Sequence, residues 1–170
     1  MAELAARERL QPSLLDRLSD DEPSNSSEPR ERRVLSLGTL REGVMRDLAW
    51  LLNTTNLLSV VPLDQMPHVA NSVLNYGVPD ISGRAMSSLD VSKLERGIRQ
   101  AIWDFEPRLI RNTVSVKART NRVAEQNKLT FEIEADLWAQ PYPERLYLKT
   151  ELDLERGALT LSEINGRSVA

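Results

Sequence analysis

Residues 128–138 read KLTFEIEADLW, and this stretch decides the fold because apolar and polar side chains alternate along it. A period of two residues is typical of a β-strand that buries one face and leaves the other in water. The apolar positions are Leu129, Phe131, Ile133, Ala135 and Leu137. The charged residues between them are expected to face water, so the sequence predicts a sheet with one buried face.

The same alternation continues in both directions along the chain. It runs through 114–119 before this stretch, and through 146–154 and 158–161 after it. A polar loop, a bend at two prolines and a tight glycine turn separate the four segments. Consecutive strands with short connections favour an antiparallel four-strand meander over residues 112–161.

Upstream of the strands, apolar residues recur every three or four positions, which is typical of amphipathic helices. The pattern predicts helices over 37–52 and 67–74. It predicts a third helix that begins at a cap at Ser88 or Asp90 and stops before Pro107. Three helices followed by an antiparallel four-strand meander place the chain in the α+β class.

A polar stretch divides the chain before the first long helix. Residues 19–33 read SDDEPSNSSEPRERR, a composition typical of a flexible linker. It separates an N-terminal segment at 1–18, here called the leader, from a single α+β domain at 34–170. The sequence therefore predicts a domain preceded by a flexible N-terminal arm.

The leader carries a short apolar motif. Leu14, Leu15 and Leu18 share one face of a helical turn, and a turn that short is not stable alone in water. We therefore expect the leader either to pack back on the domain or to dock on another protein through these leucines. A disordered terminus with incidental leucines is the remaining alternative.

Composition excludes several classes of function. With 22 basic and 25 acidic residues the net charge is −3, which argues against a nucleic-acid binder. The chain has no cysteine and one histidine, His68, so disulfides, thiolate zinc sites and histidine-rich metal sites are excluded. No glycine-rich phosphate loop, signal peptide or membrane span is present. We expect a cytoplasmic protein without cofactor or metal.

The segment FEPRL at 105–109 is the most distinctive short motif. Phe105 and Leu109 are expected in the core, and Pro107 breaks the helix. Glu106 and Arg108 lie off the apolar stripe, so they are either simply solvated or presented to a partner by a rigid corner at the proline. In the second case they serve assembly, and replacing either one should leave the fold nearly intact.

Catalysis by a pair of carboxylates is not expected. A glycosidase needs one carboxyl group in apolar surroundings that raise its pKa. The strand carboxylates occupy the water-facing positions of the alternation; they are Glu132, Glu134, Asp136, Glu151 and Asp153. The sequence therefore predicts no catalytic residues.

Four segments in this order together resemble the TssE family, a baseplate component of type VI secretion that is related to a small wedge protein of contractile phage tails. They are PSLLDRL at 12–18, LREGVMRDLAWLLNT at 40–54, SVLNYGVPD at 72–80 and FEPRL at 105–109. The combination is specific, whereas the Glu-Pro-Arg triplet alone would be weak. The resemblance covers nearly the whole chain.

The resemblance implies a structural role in the bacterial cytoplasm, at the membrane-docked baseplate. Glu106, Pro107 and Arg108 would contact other wedge subunits, of the TssF, TssG and TssK types. The sheet would template polymerisation of sheath subunits, of the TssB and TssC types, by strand exchange. Nucleic acid and membrane insertion are not implied. The family is often labelled lysozyme-like, so a peptidoglycan-cleaving enzyme is one alternative, and a generic interaction module is another.

Overall fold

A computed structural model of the chain describes residues 13–18, 37–80, 90–119, 128–138, 143–153 and 158–164. The predicted linker at 19–33, loop at 120–127 and turn at 155–157 lie outside these ranges. The helices are α1 (Leu14–Leu18), α2 (Leu37–Leu52), α3 (Pro67–Ala70) and α4 (Val91–Phe105). Short 3-10 turns occupy Leu57–Ser59, Val73–Asn75 and Arg111–Thr113.

One antiparallel sheet follows the helices, with its strands in sequence order. The strands are β1 (Ser115–Arg119), β2 (Lys128–Leu137), β3 (Glu144–Asp153) and β4 (Ala158–Glu163). In the register, Ile133 of β2 lies between Val116 of β1 and Leu148 of β3. The predicted α+β arrangement, with helices before a four-strand meander, is confirmed.

The core lies between one face of the sheet and the two long helices. All the odd-numbered apolar positions of β2 are at most 2% exposed, as the alternation predicts. They meet the buried faces of α2 and α4, from which Leu48 and Ile102 are fully enclosed. Helix α4 packs against β1 and α2 packs against β4, so the two long helices cover opposite halves of the same sheet face.

The second predicted helix is shorter than expected. It ends at Ala70, and a separate 3-10 turn covers Val73–Asn75. The interruption has a local cause, because the Ser72 hydroxyl accepts a hydrogen bond from the Leu74 N–H and starts the new turn. At the third helix the cap is Asp90, whose side chain accepts the Lys93 N–H at 2.9 Å.

Candidate partner-binding site

The Glu-Pro-Arg corner is held by backbone hydrogen bonds on both sides. The Glu106 N–H donates to the last turn of α4, and the Glu106 carbonyl accepts the Leu109 N–H at 3.2 Å. The Arg108 carbonyl accepts the N–H of Trp138, just after β2, at 2.8 Å. Pro107 lies exposed between these anchors. The corner is therefore fixed to both α4 and the sheet.

Glu106 is 3% exposed, so of the two alternatives for its side chain the simply solvated one is wrong. Its Oε1 accepts hydrogen bonds from the backbone N–H of Arg108 at 3.1 Å and from Arg108 Nε at 2.7 Å. Its Oε2 accepts from Arg108 Nη2 at 2.5 Å. A guanidinium that pairs with both carboxylate oxygens offsets the cost of burying the charge, which is why this glutamate can be enclosed.

Three further residues extend this pair into a row of alternating charges. Arg108 Nη2 also donates to Asp47 at 2.6 Å, and the other carboxylate oxygen of Asp47 accepts two hydrogen bonds from Arg46 at 2.8 and 2.9 Å. Arg46 Nη1 then donates to Asp16 in the leader at 2.6 Å. We call Glu106, Arg108, Asp47, Arg46 and Asp16 the charge chain.

A glycine in α2 faces the charge chain, at a distance where a Cβ atom would make ordinary contact with it. A Cβ atom at Gly43 would lie 3.6 Å from Asp16 Oδ2 and 3.7 Å from Arg108 Nη1. Gly43, Arg46 and Asp47 are spaced i, i+3 and i+4, which puts them on one face of the helix. Sequence reasoning missed all three. The sequence does carry a signal for them, because a glycine inside a helix, followed by opposite charges at this spacing, suggests that another part of the chain lies close to that helix face.

The pairing shifts the titration of several groups. The hydrogen bond from Arg46 lowers the pKa of Asp16 below its usual value of 3.8. Burial by itself would lower the pKa of Arg108, but hydrogen bonds and charge interactions, first among them those of Glu106, outweigh it and raise that pKa. Burial raises the pKa of Tyr76, and nearby carboxylates of the charge chain add to the shift.

The described end of the leader, residues 13–18, contacts the domain through a polar side chain. Helix α1 contacts α2 through Asp16 and Arg46, whereas Leu14, Leu15 and Leu18 are 70%, 48% and 75% exposed. The structure thus brings two sets of predicted binding residues, the corner and the leader leucines, to the two ends of one charge chain. Sequence reasoning had treated them as separate sites.

The arrangement offers little to acid–base chemistry. Both oxygens of Glu106 accept hydrogen bonds from Arg108, so neither is free to protonate a leaving group or to activate a water molecule. Within the described ranges, no group of three or more His, Asp and Glu side chains could hold a metal ion. A separate finding concerns membranes: none of the described helices has the length and apolarity to cross one.

Comparison with known families gives a match over more than half of the chain. The family described as baseplate wedge protein gp25 matches residues 38–142, a range that contains α2 from its second residue on, α4, the corner and the first two strands. This is the family that includes TssE, so the resemblance is confirmed. No curated protein and no solved structure matches the chain significantly.

Proposed function

The chain belongs to the baseplate wedge protein gp25 family, a family of baseplate structural proteins, and on that premise we propose its specific task. It is a non-enzymatic adaptor of the type VI secretion baseplate wedge. It joins wedge subunits of the TssF, TssG and TssK types, and it templates the polymerisation of sheath subunits of the TssB and TssC types.

The charge chain is the observation that carries the adaptor role. It holds the corner and residues 13–18 of the leader against α2, with Arg108 near one end and the exposed leucines near the other. We infer that both ends belong to one interface, because a guanidinium and exposed apolar side chains are the kinds of anchor that protein interfaces use. A wedge subunit that covers both ends would bury Leu14 and Leu18, the most exposed of the three described leader leucines.

Within this surface Arg108 is the residue that reaches the partner, and Glu106 positions it. The Nε and Nη2 atoms of Arg108 bind Glu106 and Asp47. In the described part of the chain no acceptor bonds its Nη1, and the side chain is 21% exposed. We infer that this nitrogen donates to a carbonyl or carboxylate of the wedge subunit once the two proteins assemble.

The sheet supports the templating role. A four-strand antiparallel sheet has two edge strands, and backbone groups on such edges pair with an added strand of another protein. Strand exchange with a sheath subunit uses this property and requires no catalytic group.

Co-purification with the wedge subunits tests the adaptor role. Arg108→Lys keeps the charge but loses the planar pairing with Glu106, so we expect recovery of wedge subunits to fall at least about tenfold. Arg145→Lys is the matched control, because Arg145 pairs with Asp136 on the solvent side and is 57% exposed. Equal recovery with both variants, each folded by circular dichroism, would contradict the assignment of Arg108.

Removing residues 1–30 tests the leader separately. The truncated protein should keep its denaturation midpoint, because α1 buries little apolar surface on the domain. It should recover fewer wedge subunits than the full chain. A large loss of stability would instead place the leader in the core and remove the argument for docking.

A further inference from the structure

We infer that only one edge of the sheet, β4, accepts an added strand, and that Asn53 sets where that strand ends. The inference rests on the proposed templating role and specifies its site. It comes from two side-chain contacts, one on each edge strand, that occupy backbone groups an added strand would need.

The register determines which backbone groups point outward. In antiparallel pairing, alternate residues of an edge strand bond the neighbouring strand, and the residues between them direct their N–H and C=O groups away from the sheet. The Ala118 N–H bonds a helix side chain, so Val116 and Ala118 are the outward residues of β1. The Leu159 N–H likewise bonds a side chain, so Leu159, Leu161 and Glu163 are the outward residues of β4.

The β1 edge is closed by α4. Glu95 Oε1 accepts the Ala118 N–H at 2.7 Å, and this contact joins the N-terminal half of α4 to the edge strand. Helix α4 also packs along β1. Val116 is then the one residue of β1 whose outward N–H no described group accepts. Val116 alone, next to the Glu95 carboxylate and beside α4, offers too few outward backbone groups to pair with an added strand.

The β4 edge is closed at one end only. The Asn53 side chain, just beyond α2, accepts the Leu159 N–H and donates to the Leu159 carbonyl, both at 2.8 Å. The amide thus imitates a paired strand at this residue. No described group bonds the outward backbone of Leu161 and Glu163, two residues further along. An added strand therefore pairs with these two residues and stops where Asn53 begins.

The occupant that fits is an extended segment of another protein with an apolar side chain on its helix-facing side. Leu161 points toward the helices, packs at the border of the core and remains partly exposed. An apolar neighbour on the added strand would cover it. On the opposite face, Thr160 and Ser162 are exposed and place no restriction on the added strand.

Amide hydrogen exchange of the full chain, measured by NMR with and without purified sheath subunits, tests the inference. In the free protein the Leu159 and Ala118 amides should exchange slowly, because side chains hold them, and the Leu161 and Glu163 amides should exchange fast. Adding sheath subunits should slow Leu161 and Glu163 at least about tenfold and leave Val116 unchanged.

Proline variants give an independent readout. Leu161→Pro removes an outward N–H of β4, and Val116→Pro removes the corresponding N–H of β1. Both replace an apolar residue on the helix-facing side of an edge strand, but Val116 is buried and Leu161 partly exposed, so binding is compared only between variants that circular dichroism shows to be folded. We expect Leu161→Pro to weaken sheath binding at least about tenfold and Val116→Pro to leave it unchanged.

Asn53→Ala tests the end point of the strand. The Leu159 amide should then exchange fast in the free variant and become protected on adding sheath subunits, since the added strand can extend by one pair. A Leu159 amide that stays fast while Leu161 and Glu163 are protected would contradict the role of Asn53.

The remaining outcomes separate the two proposals. Protection of Val116 instead of Leu161 overturns the choice of edge but leaves templating intact. Binding without protection of any outward amide overturns strand addition at either edge. Absence of binding to sheath subunits overturns the templating role itself, and this inference with it.

Discussion

Glu106 holds Arg108 through three hydrogen bonds while its own side chain is almost fully removed from water. The carboxylate thereby joins a local turn to a distant helix, because Arg108 also binds Asp47, 61 residues earlier in the chain. This pairing was not predictable from sequence. A side chain one residue past a helix end, next to a proline, is ordinarily solvated, and only the fold brings Asp47 of α2 near enough to bind Arg108.

From sequence, Glu106→Ala is expected to leave the fold nearly intact, and the burial of Glu106 changes that expectation. The variant should lower the free energy of unfolding by about 2 kcal/mol, because the half-buried Arg108 loses its bidentate partner and keeps only Asp47. Glu106→Gln should cost less, since the amide oxygen can still accept the backbone N–H of Arg108. Chemical denaturation measures both. Glu132→Ala is the control, because Glu132 pairs with an exposed arginine and should change stability by less than about 0.5 kcal/mol. Equal effects of the alanine variants at Glu106 and Glu132 would contradict the role given to the buried pair.

The glycines respond differently to an added methyl group. Gly43→Ala places its Cβ at ordinary contact distance from the charge chain, so the variant should be neutral or more stable by up to about 1 kcal/mol, through helix propensity. Gly77→Ala should cost more than about 2 kcal/mol, because φ is 121° and the new atom would lie 2.3 Å from the Thr54 carbonyl oxygen. Thermal denaturation compares them. A destabilised Gly43→Ala would mean that the charge chain packs more tightly on α2 than these distances allow.

Among the elements, strands were the easiest to predict and short helices the hardest. The alternation over 128–138 predicts the bounds of β2 almost to its ends, because a one-residue slip would point the side chains of Phe131 and Ile133 toward water. Helix α3 was predicted four residues too long, since the apolar pattern continues through Leu74 while the Ser72 hydroxyl starts a new turn. For the leader the sequence leaves three alternatives open, namely packing on the domain, docking on a partner and disorder. Its polar face lies on the domain and its leucines do not.

Docking of α1 on the domain should depend on salt and pH. The contact rests on Asp16 and Arg46, whose side chains are 28% and 37% exposed, so it should weaken as salt screens the pair. The pKa of Asp16 is lowered in the docked state. The contribution of Asp16 to the docking of α1 is therefore fully present at pH values above its usual pKa of 3.8. It is lost as the pH falls through the lower pKa of the docked state.

Methyl NMR of Leu14, Leu15 and Leu18 measures this docking. Their signals should move toward free-peptide positions at high salt or low pH, while those of a core residue such as Leu148 stay in place. Asp16→Asn should show the moved signals already at neutral pH and low salt. Leucine signals that do not change with salt concentration would mean that apolar packing holds α1 on the domain instead.

On the scale of the whole molecule, α2 connects the two proposed assembly surfaces. Its middle supplies Arg46 and Asp47 to the charge chain, and the residue after its end, Asn53, reaches the β4 edge. Arg41, near its start, pairs with Glu144 and Glu163 on the last two strands. One rigid element thus sets the distance between the wedge-binding surface and the strand-accepting edge.

We expect the purified protein to release no fragments from peptidoglycan. The one strongly buried carboxylate among the described residues, Glu106, has both oxygens bound by Arg108, so a general acid is lacking there. Dye release from labelled cell walls, with a commercial lysozyme as positive control, measures this. Release that disappears in Glu106→Gln would show that the protein is an enzyme after all.

The contact between Glu95 and Ala118 makes the two edges of the sheet unequal, because it occupies a backbone group on the β1 edge. A sheet that can be extended on both sides can sit in the middle of a growing row of subunits, whereas one that can be extended on one side is an end piece. Under the proposed templating role, each copy would then start a single row of sheath subunits. Two copies of the chain could meet only β4 to β4, a contact that closes after two molecules, so the adaptor alone cannot grow into a filament.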